Sequence, residues 1–257
     1  MKIFPSNQER LITIAIVAFL SGIAIGLSAK LEAKEFFASV VTLVAAFMGA
    51  YSAFLLQNSK QKKEQTALRV ESGNKSIFNL IRSYNTFLAF KKQFVDPHID
   101  NPGRFVAIPP SVGFDGKSDF DFHSLAYLFE LEDPNVLGEL SSFQAEVQAT
   151  IAVIQERSYM HMNGVQPSLE KVGFVEGNDI AIGDIKNALG ERLTAMMIQG
   201  TDQMIEGIDS ILKDAETLIE RLHRIHFKNY KGHKILRMEK MKLNKQMQPT
   251  PKNGTAD

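Results

Sequence analysis

The sequence contains no cysteine and no tryptophan among its 257 residues. Without cysteine, the chain can form neither a disulfide nor a thiolate metal site. Acidic and basic residues are equal at 29 each, so the whole chain carries no net charge. Six histidines and no cysteine leave little material for a metal-dependent or nucleophilic enzyme. We therefore predict a protein that is not an enzyme and has no catalytic residues, no cofactor and no metal.

Charge is missing from two long apolar runs near the N-terminus, residues 11–29 and 36–56. As a helix, each run would match the ~30 Å hydrocarbon core of a bilayer. The six residues between them can join only neighbouring antiparallel helices. We predict a transmembrane hairpin over residues 11–56. A cleaved signal peptide is the alternative for the first run, and it would leave the second span in place.

Basic residues near the ends of the runs predict the orientation of the hairpin. They are enriched outside the hairpin, at Lys2, Arg10, Lys60, Lys62, Lys63 and Arg69. In the connecting loop, Lys30 and Lys34 are offset by Glu32 and Glu35. We expect a multi-pass protein of the bacterial inner (cytoplasmic) membrane with both termini in the cytoplasm, residues 1–10 forming the N-terminal end.

Small residues recur at intervals of four in both runs. They are Ala18, Gly22 and Gly26 in the first, and Ala45, Gly49 and Ala53 in the second. Such faces let helix backbones approach closely. We predict that they pack the hairpin against itself, or that one of them drives association between protomers. Neither run contains an ionisable residue, which argues against a transporter.

The remaining residues predict an all-α fold, a cytoplasmic helical bundle with long helices after the hairpin. Residues 57–95 should form a polar stalk and, from Ile77, the first bundle helix. Phe78 of this helix and Phe129 of the next short helix should face the core. Four prolines and three glycines mark residues 96–123 as a packed loop, with a short extended piece over 104–108. Residues 124–231 should complete the bundle, with a helix starting at Asp133-Pro134 and ending at Gly164. Residues 232–257 should form a basic, disordered tail.

A heptad pattern in the last predicted helix is the clearest periodic signal. It comprises Met197, Thr201, Met204, Ile208, Ile211, Ala215, Leu218, Leu222 and Ile225. Steps of four and three residues are typical of a seam between packed helices. We interpret it as a seam within the bundle, with a coiled coil between protomers as the alternative.

Two motifs resemble chemical sites but lack parts that those sites need. The sequence GFDGKS at residues 113–118 has Ser111 where a phosphate-binding loop requires its first glycine. His223 and His226 are three residues apart but have no third ligand for zinc. We therefore expect no nucleotide site in the loop and an exposed helix surface at the histidines.

The C-terminal region is basic and offers a third candidate. Its residues Lys231, Lys234, Arg237, Lys240, Lys242 and Lys245 could contact anionic lipid on the cytoplasmic side of a membrane. Nucleic acid is a weaker alternative partner, since the few aromatic residues of the region argue against binding of single strands. A solvated charge run without a partner is the third interpretation.

Three stretches, AAFMGAYSAFLLQNSKQ, GNKSIFNLIRSYN and DPHIDNPGRF, occur in the same order as in a loosely defined family. The chain resembles uncharacterised bacterial proteins with two N-terminal transmembrane spans and a helical cytoplasmic domain. The resemblance covers most of the chain and implies that layout, but no activity and no functional residue. Some anti-phage systems use small two-span proteins as membrane effectors, which are similar in layout alone.

These observations predict a membrane-anchored interaction or sensor module. It should be non-enzymatic and self-associating, with membrane lipid, other copies of itself and an unidentified protein as partners. The alternative is a membrane-perturbing effector, for example of an anti-phage system, triggered through its cytoplasmic bundle.

Overall fold

The computed structural model describes residues 14, 17–18, 21–25, 33–116, 118–131, 133–174 and 181–238. These residues contain helices and no strand, which confirms the all-α class. The chain divides into two compact units, Met1–Ala67 and Leu68–Asp257.

Helix α1, Ala33–Phe90, is 58 residues long and contains the second apolar run. Within the first unit its large apolar side chains are exposed, at Phe37, Val41, Val44, Phe47, Met48, Tyr51, Leu55 and Leu56. Among the described residues, it provides the one helix that is long and apolar enough to cross a membrane. The first predicted span, residues 11–29, lies mostly outside the described residues. Its described residues 21–25 are helical, and a Cβ on Gly22 would lie 3.1 Å from Cδ2 of Leu43.

The second unit has a core built by the end of α1 and two further long helices. A π-helical turn, Lys91–Val95, and a 3-10 turn, Asp96–His98, follow α1. Short helices α2, Arg104–Ala107, and α3, Phe122–Leu125, come next, and the 3-10 turn Ala126–Glu130 extends α3. Helix α4 spans Val136–Met160, a second π turn spans His161–Val165, and α5 spans Gln166–Lys171. Helix α6, Ile182–Asn229, completes the unit.

Helices α4 and α6 pack antiparallel. The Arg157 side chain of α4 contacts Thr201 of α6. Thr150 precedes Arg157 by seven residues on α4, and a Cβ on Gly207 of α6 would lie 3.1 Å from its Cγ2. The heptad residues of α6 are buried within this one chain, except for the partly buried Ile225. The seam therefore lies inside the bundle, because its residues are already packed within this chain and are not accessible to a coiled coil with another protomer.

Gly164 does not end the helix that contains it, contrary to the prediction. The chain widens into a π turn and then continues as α5, with Pro167 near the start of α5. A π turn also precedes Pro97, since a proline ring clashes with the carbonyl four residues earlier. A Cβ on Gly164 would lie 3.1 Å from Cδ2 of Leu193, so this glycine allows α6 to approach.

Three further predictions about the bundle differ from the structure. Residues 104–107 are helical rather than extended, because backbone bonds close a turn from Gly103 and Arg104. Helix α4 begins at Val136 rather than at Pro134, and the Asp133 carboxylate binds the Arg221 guanidinium instead of capping the helix, with Nη2 to Oδ1 at 2.7 Å. The side chains of Phe78 and Phe129, predicted to face the core, are exposed.

Candidate functional site

The most unusual contact in the second unit lies between the backbone of α1 and a histidine of α6. The His226 side chain is fully buried, although the sequence predicted an exposed helix surface there. A Cβ on Gly73 would lie 2.7 Å from Cε1 of His226, closer than real Cβ contacts come. Only glycine leaves room for the imidazole at this point. We call the surrounding group the Gly73 junction, comprising Arg69, Gly73, Asn74, Tyr127, Glu130, His223, His226 and Tyr230.

Hydrogen bonds connect His226 to three elements. Its Nδ1 donates to the Leu222 carbonyl at 2.8 Å, within α6. Its Nε2 lies 2.6 Å from the Tyr127 hydroxyl, which in turn lies 2.8 Å from the Arg69 carbonyl of α1. When both side chains are neutral, the His226 imidazole has one N–H and the Tyr127 hydroxyl has one O–H. These two donors cannot supply all three contacts. The Tyr127 hydroxyl therefore donates either to His226 or to Arg69, and protonation of His226 would direct it to Arg69.

Burial favours the uncharged form of three rings of the Gly73 junction, those of His226, Tyr127 and Tyr230. It lowers the pKa of His226, an effect that the hydrogen bond to Leu222 opposes. Burial also raises the pKa of Tyr127 and the pKa of Tyr230. All three rings are consequently uncharged at pH 7, and they pack edge-on or tilted with centroids between 5.8 and 6.4 Å apart.

The positive charge at the junction belongs to Arg69. Its guanidinium lies over the Tyr127 ring, with Cζ 5.5 Å from the centroid. It also binds the Glu130 carboxylate at 2.8 Å. This pair is partly exposed, so it orients the 3-10 turn on α1 more than it stabilises the fold.

Asn74, the next residue after Gly73, fixes the chain beyond α6. Its amide nitrogen donates to the Lys234 carbonyl at 2.9 Å, and its oxygen accepts from the Leu236 N–H at 2.8 Å. His223 Nδ1 donates to the Leu236 carbonyl at 2.9 Å. Ile235 and Met238 pack against the core. We call residues 231–238 the C-terminal segment, and it follows a course set by α1 and α6.

The basic residues predicted to contact lipid divide into two groups. Lys231, Lys234 and Arg237 lie on the C-terminal segment with exposed side chains, and they form no ion pair with any described residue. Lys240, Lys242 and Lys245 lie outside the described residues. Of the predicted 232–257 tail, residues 234–236 and Met238 contact the bundle.

The predicted small-residue faces lie in the first unit. Ala45, Gly49 and Ala53 of α1 are exposed, and a Cβ on Gly49 would have nothing within 4 Å. Ala18 and Gly22 are exposed as well, with Leu43 close to Gly22, whereas Gly26 lies outside the described residues. At Gly49, the face on α1 therefore meets none of the residues that the structure describes.

A second polar cluster holds the loop between α1 and α3 against the bundle. Arg157 is 1 % exposed. Its guanidinium donates to the carbonyls of Ile108 at 2.7 Å and Phe105 at 3.2 Å, and to the Thr201 hydroxyl at 2.9 Å. Burial lowers the pKa of Arg157 to about 10, so it stays charged at neutral pH. One turn later, His161 Nε2 donates to the Val106 carbonyl at 3.0 Å.

A cavity beside this loop has a mixed polar and apolar lining. A cavity of 320 Å³ is lined by Asp100, Asn101, Arg104, Lys186, Asp202 and four apolar or proline residues. Arg104 and Asp202 bind each other across it at 2.9 Å. In the part of the chain that the structure describes, no three side chains are grouped to hold a metal ion. Lys117 of the GFDGKS motif is outside that part, and no described helix follows the motif directly.

Sequence reasoning wrongly placed His226 on an exposed surface, and it did not single out Asn74 or Arg157. One signal was present for His226, because it follows the buried Leu222 by four residues and so shares its face of α6. Nothing in the pattern distinguishes Asn74 from other polar residues of the predicted stalk. No protein-family model, no curated protein and no solved structure matches the chain.

Proposed function

We propose that the chain is a membrane-anchored interaction or sensor module of the bacterial inner membrane. The first and second apolar runs form a transmembrane hairpin, and both termini lie in the cytoplasm. The module is non-enzymatic and associates with copies of itself and with an unidentified protein. The resemblance to two-span bacterial proteins belongs to the same proposal.

One observation carries this proposal. Helix α1 includes both the exposed apolar residues of the first unit and the core residues Val70, Ile77, Leu80, Phe87 and Phe90 of the second. An exposed apolar face of this length is unfavourable in water and needs lipid to cover it. The same helix then provides Gly73 and Asn74, the two residues on which the end of α6 and the C-terminal segment rest.

The Gly73 junction supports a sensing role. It couples α1 to the 3-10 turn, to α6 and to the C-terminal segment through hydrogen bonds that can rearrange. A partner that displaces the C-terminal segment would remove the Asn74 and His223 bonds and alter packing on α1. The signal would thus begin on the one helix that also anchors the protein.

Self-association is supported by the exposed face of Ala45, Gly49 and Ala53. No described residue would lie within 4 Å of a Cβ on Gly49, which favours contact of this face with a second copy, whereas Gly22 lies close to Leu43. In-cell cross-linking should trap the protein with itself. The Gly49→Leu variant should lose this product with unchanged expression, whereas loss in Gly22→Leu should accompany reduced protein level.

The same experiment, followed by affinity purification and mass spectrometry, tests the interaction module. Reproducible recovery of a second protein supports it. Recovery of the protein cross-linked only to itself favours the second candidate, a membrane-perturbing effector, which the exposed face of Gly49 also allows. An effector should depolarise cells on overexpression, and Gly49→Leu should prevent it. The absence of any cross-linked product contradicts both candidates.

A further inference from the structure

The end of α6 and the C-terminal segment carry basic and large apolar side chains that are exposed and close together in the sequence. Lys231, Lys234 and Arg237 are exposed at intervals of three residues. Phe227 is 66 % exposed and Leu236 is 37 % exposed. We infer that these five residues form a binding surface for anionic lipid headgroups, which deepens the proposed function and rests on it.

The position of this surface is fixed by the fold. Asn74 binds the segment on both sides of Ile235, and His223 binds it at Leu236. With Ile235 and Met238 packed inward, the three basic side chains of the segment remain outside. A fixed surface loses less conformational entropy on binding than a free tail of the same charge.

The mixture of side chains favours lipid over other polyanions. Basic residues beside exposed apolar residues match the boundary between headgroups and acyl chains. A surface for single-stranded nucleic acid would instead need free aromatic rings to stack on bases. Here Tyr230 is buried, and Phe227 already stacks on His223 with centroids 5.8 Å apart.

The chain that joins the proposed membrane anchor to this surface limits how far the surface can lie from lipid. Asn74 holds the segment. The chain between Leu56 and Asn74 spans at most roughly 65 Å even when fully extended. Lipid binding by the segment is therefore effectively intramolecular, and weak contacts suffice. Each basic residue near an anionic surface should favour the bound state roughly fivefold, so three should do so on the order of 100-fold.

The test uses the full chain, which has no native cysteine. A His233→Cys variant, labelled with an environment-sensitive fluorophore, places the probe between Lys231 and Lys234 on an exposed side chain. The protein is reconstituted into vesicles of phosphatidylcholine alone or with phosphatidylglycerol. We expect a blue-shifted emission, and quenching by a lipid with a shallow quencher, only with phosphatidylglycerol. High salt should weaken both.

Two triple variants distinguish the effect of the charge on the C-terminal segment from the effect of the net charge of the protein. Lys231→Gln, Lys234→Gln and Arg237→Gln together should abolish the shift. Lys171→Gln, Lys186→Gln and Lys213→Gln remove the same charge from exposed side chains elsewhere and should leave the shift intact. Equal thermal unfolding of the two variants confirms that the fold is retained.

Several results would overturn the inference. Equal emission in both kinds of vesicle, or a shift that survives the first triple variant, contradicts it. A shift on adding an oligonucleotide or inorganic phosphate to phosphatidylcholine vesicles would instead assign the surface to nucleic acid or to a free anion. Failure of the protein to float with either vesicle contradicts the membrane anchor and this inference together, whereas floating without a shift contradicts the inference alone.

Discussion

The His226 imidazole lies directly against the backbone of Gly73, so that a Cβ on residue 73 would fall 2.7 Å from Cε1 and closer still to Nε2. Gly73→Ala should therefore destabilise the second unit by about 2 kcal/mol, since an overfilled core must shift. Thermal unfolding of the full chain in detergent measures this.

Gly138→Ala is the matched control. Gly138 is an exposed residue of α4, and a Cβ there would meet nothing within 4 Å. This variant should gain about 0.5–1 kcal/mol from reduced backbone entropy. If the two variants unfold alike, the close contact between Gly73 and His226 is absent in solution.

Acid should weaken the fold through its two buried histidines. Burial lowers the pKa of His226 and the pKa of His161, so the unfolded chain binds protons more readily than the folded chain. Their contribution to stability is complete above the unfolded pKa of about 6.5 and is lost as the pH falls from there towards the lower folded pKa. Urea unfolding between about pH 7 and pH 5 should show the loss. His226→Gln and His161→Gln together should flatten the curve, and an unchanged slope would assign the loss to other groups.

The loop between α1 and α3 depends on one guanidinium. Arg157→Lys should lose the two-carbonyl contact with Phe105 and Ile108, because an ammonium group cannot reproduce the planar donor set of arginine. Loss of such charged hydrogen bonds should destabilise the loop by about 2 kcal/mol. Hydrogen exchange over residues 99–111 should then speed up, with little change in α6. Arg192→Lys, at an exposed position of α6, should leave this exchange unchanged.

Asn74→Ala should release the C-terminal segment. Two hydrogen bonds of about 1 kcal/mol each would disappear, so the released state should become roughly 30 times more populated. Limited trypsin cleavage after Lys231 and Lys234 should accelerate accordingly. Asn229→Ala, which removes a bond within α6 to the Ile225 carbonyl, should have no such effect. Equal cleavage of all three proteins would mean that Asn74 does not hold the segment.

The sequence was sufficient for the helical class and for the seam of α6, because both follow from apolar periodicity. It also indicated the length of the apolar part of α1, residues 36–56. It did not predict that α1 enters the core as early as Val70, since the polar residues around Gly73 conceal a buried face. Periodicity shows which side of a helix is apolar. The side of α1 at Gly73 is instead covered by the polar side chains of His226 and Tyr127.

Of the C-terminal segment, only the basic charge could be predicted from the sequence. The basic residues were evident from composition, but their fixed position depends on Asn74 and His223, which bind backbone atoms more than ten residues away in sequence. Such contacts between a side chain and a distant backbone have no local sequence signal. Arg157 is similar, because two of its three partners are carbonyl groups of the loop between α1 and α3.

The central claim, that residues 36–56 of the chain lie in lipid and lead into the cytoplasmic domain, can be tested with single cysteines in this cysteine-free chain. In intact membranes, the Val44→Cys and Met48→Cys variants should resist a water-soluble maleimide and react only after denaturation. Ser59→Cys and Lys62→Cys should react freely in inside-out vesicles and not in intact cells. Labelling of the Val44→Cys and Met48→Cys variants as fast as that of Ser59→Cys in native membranes would contradict the account.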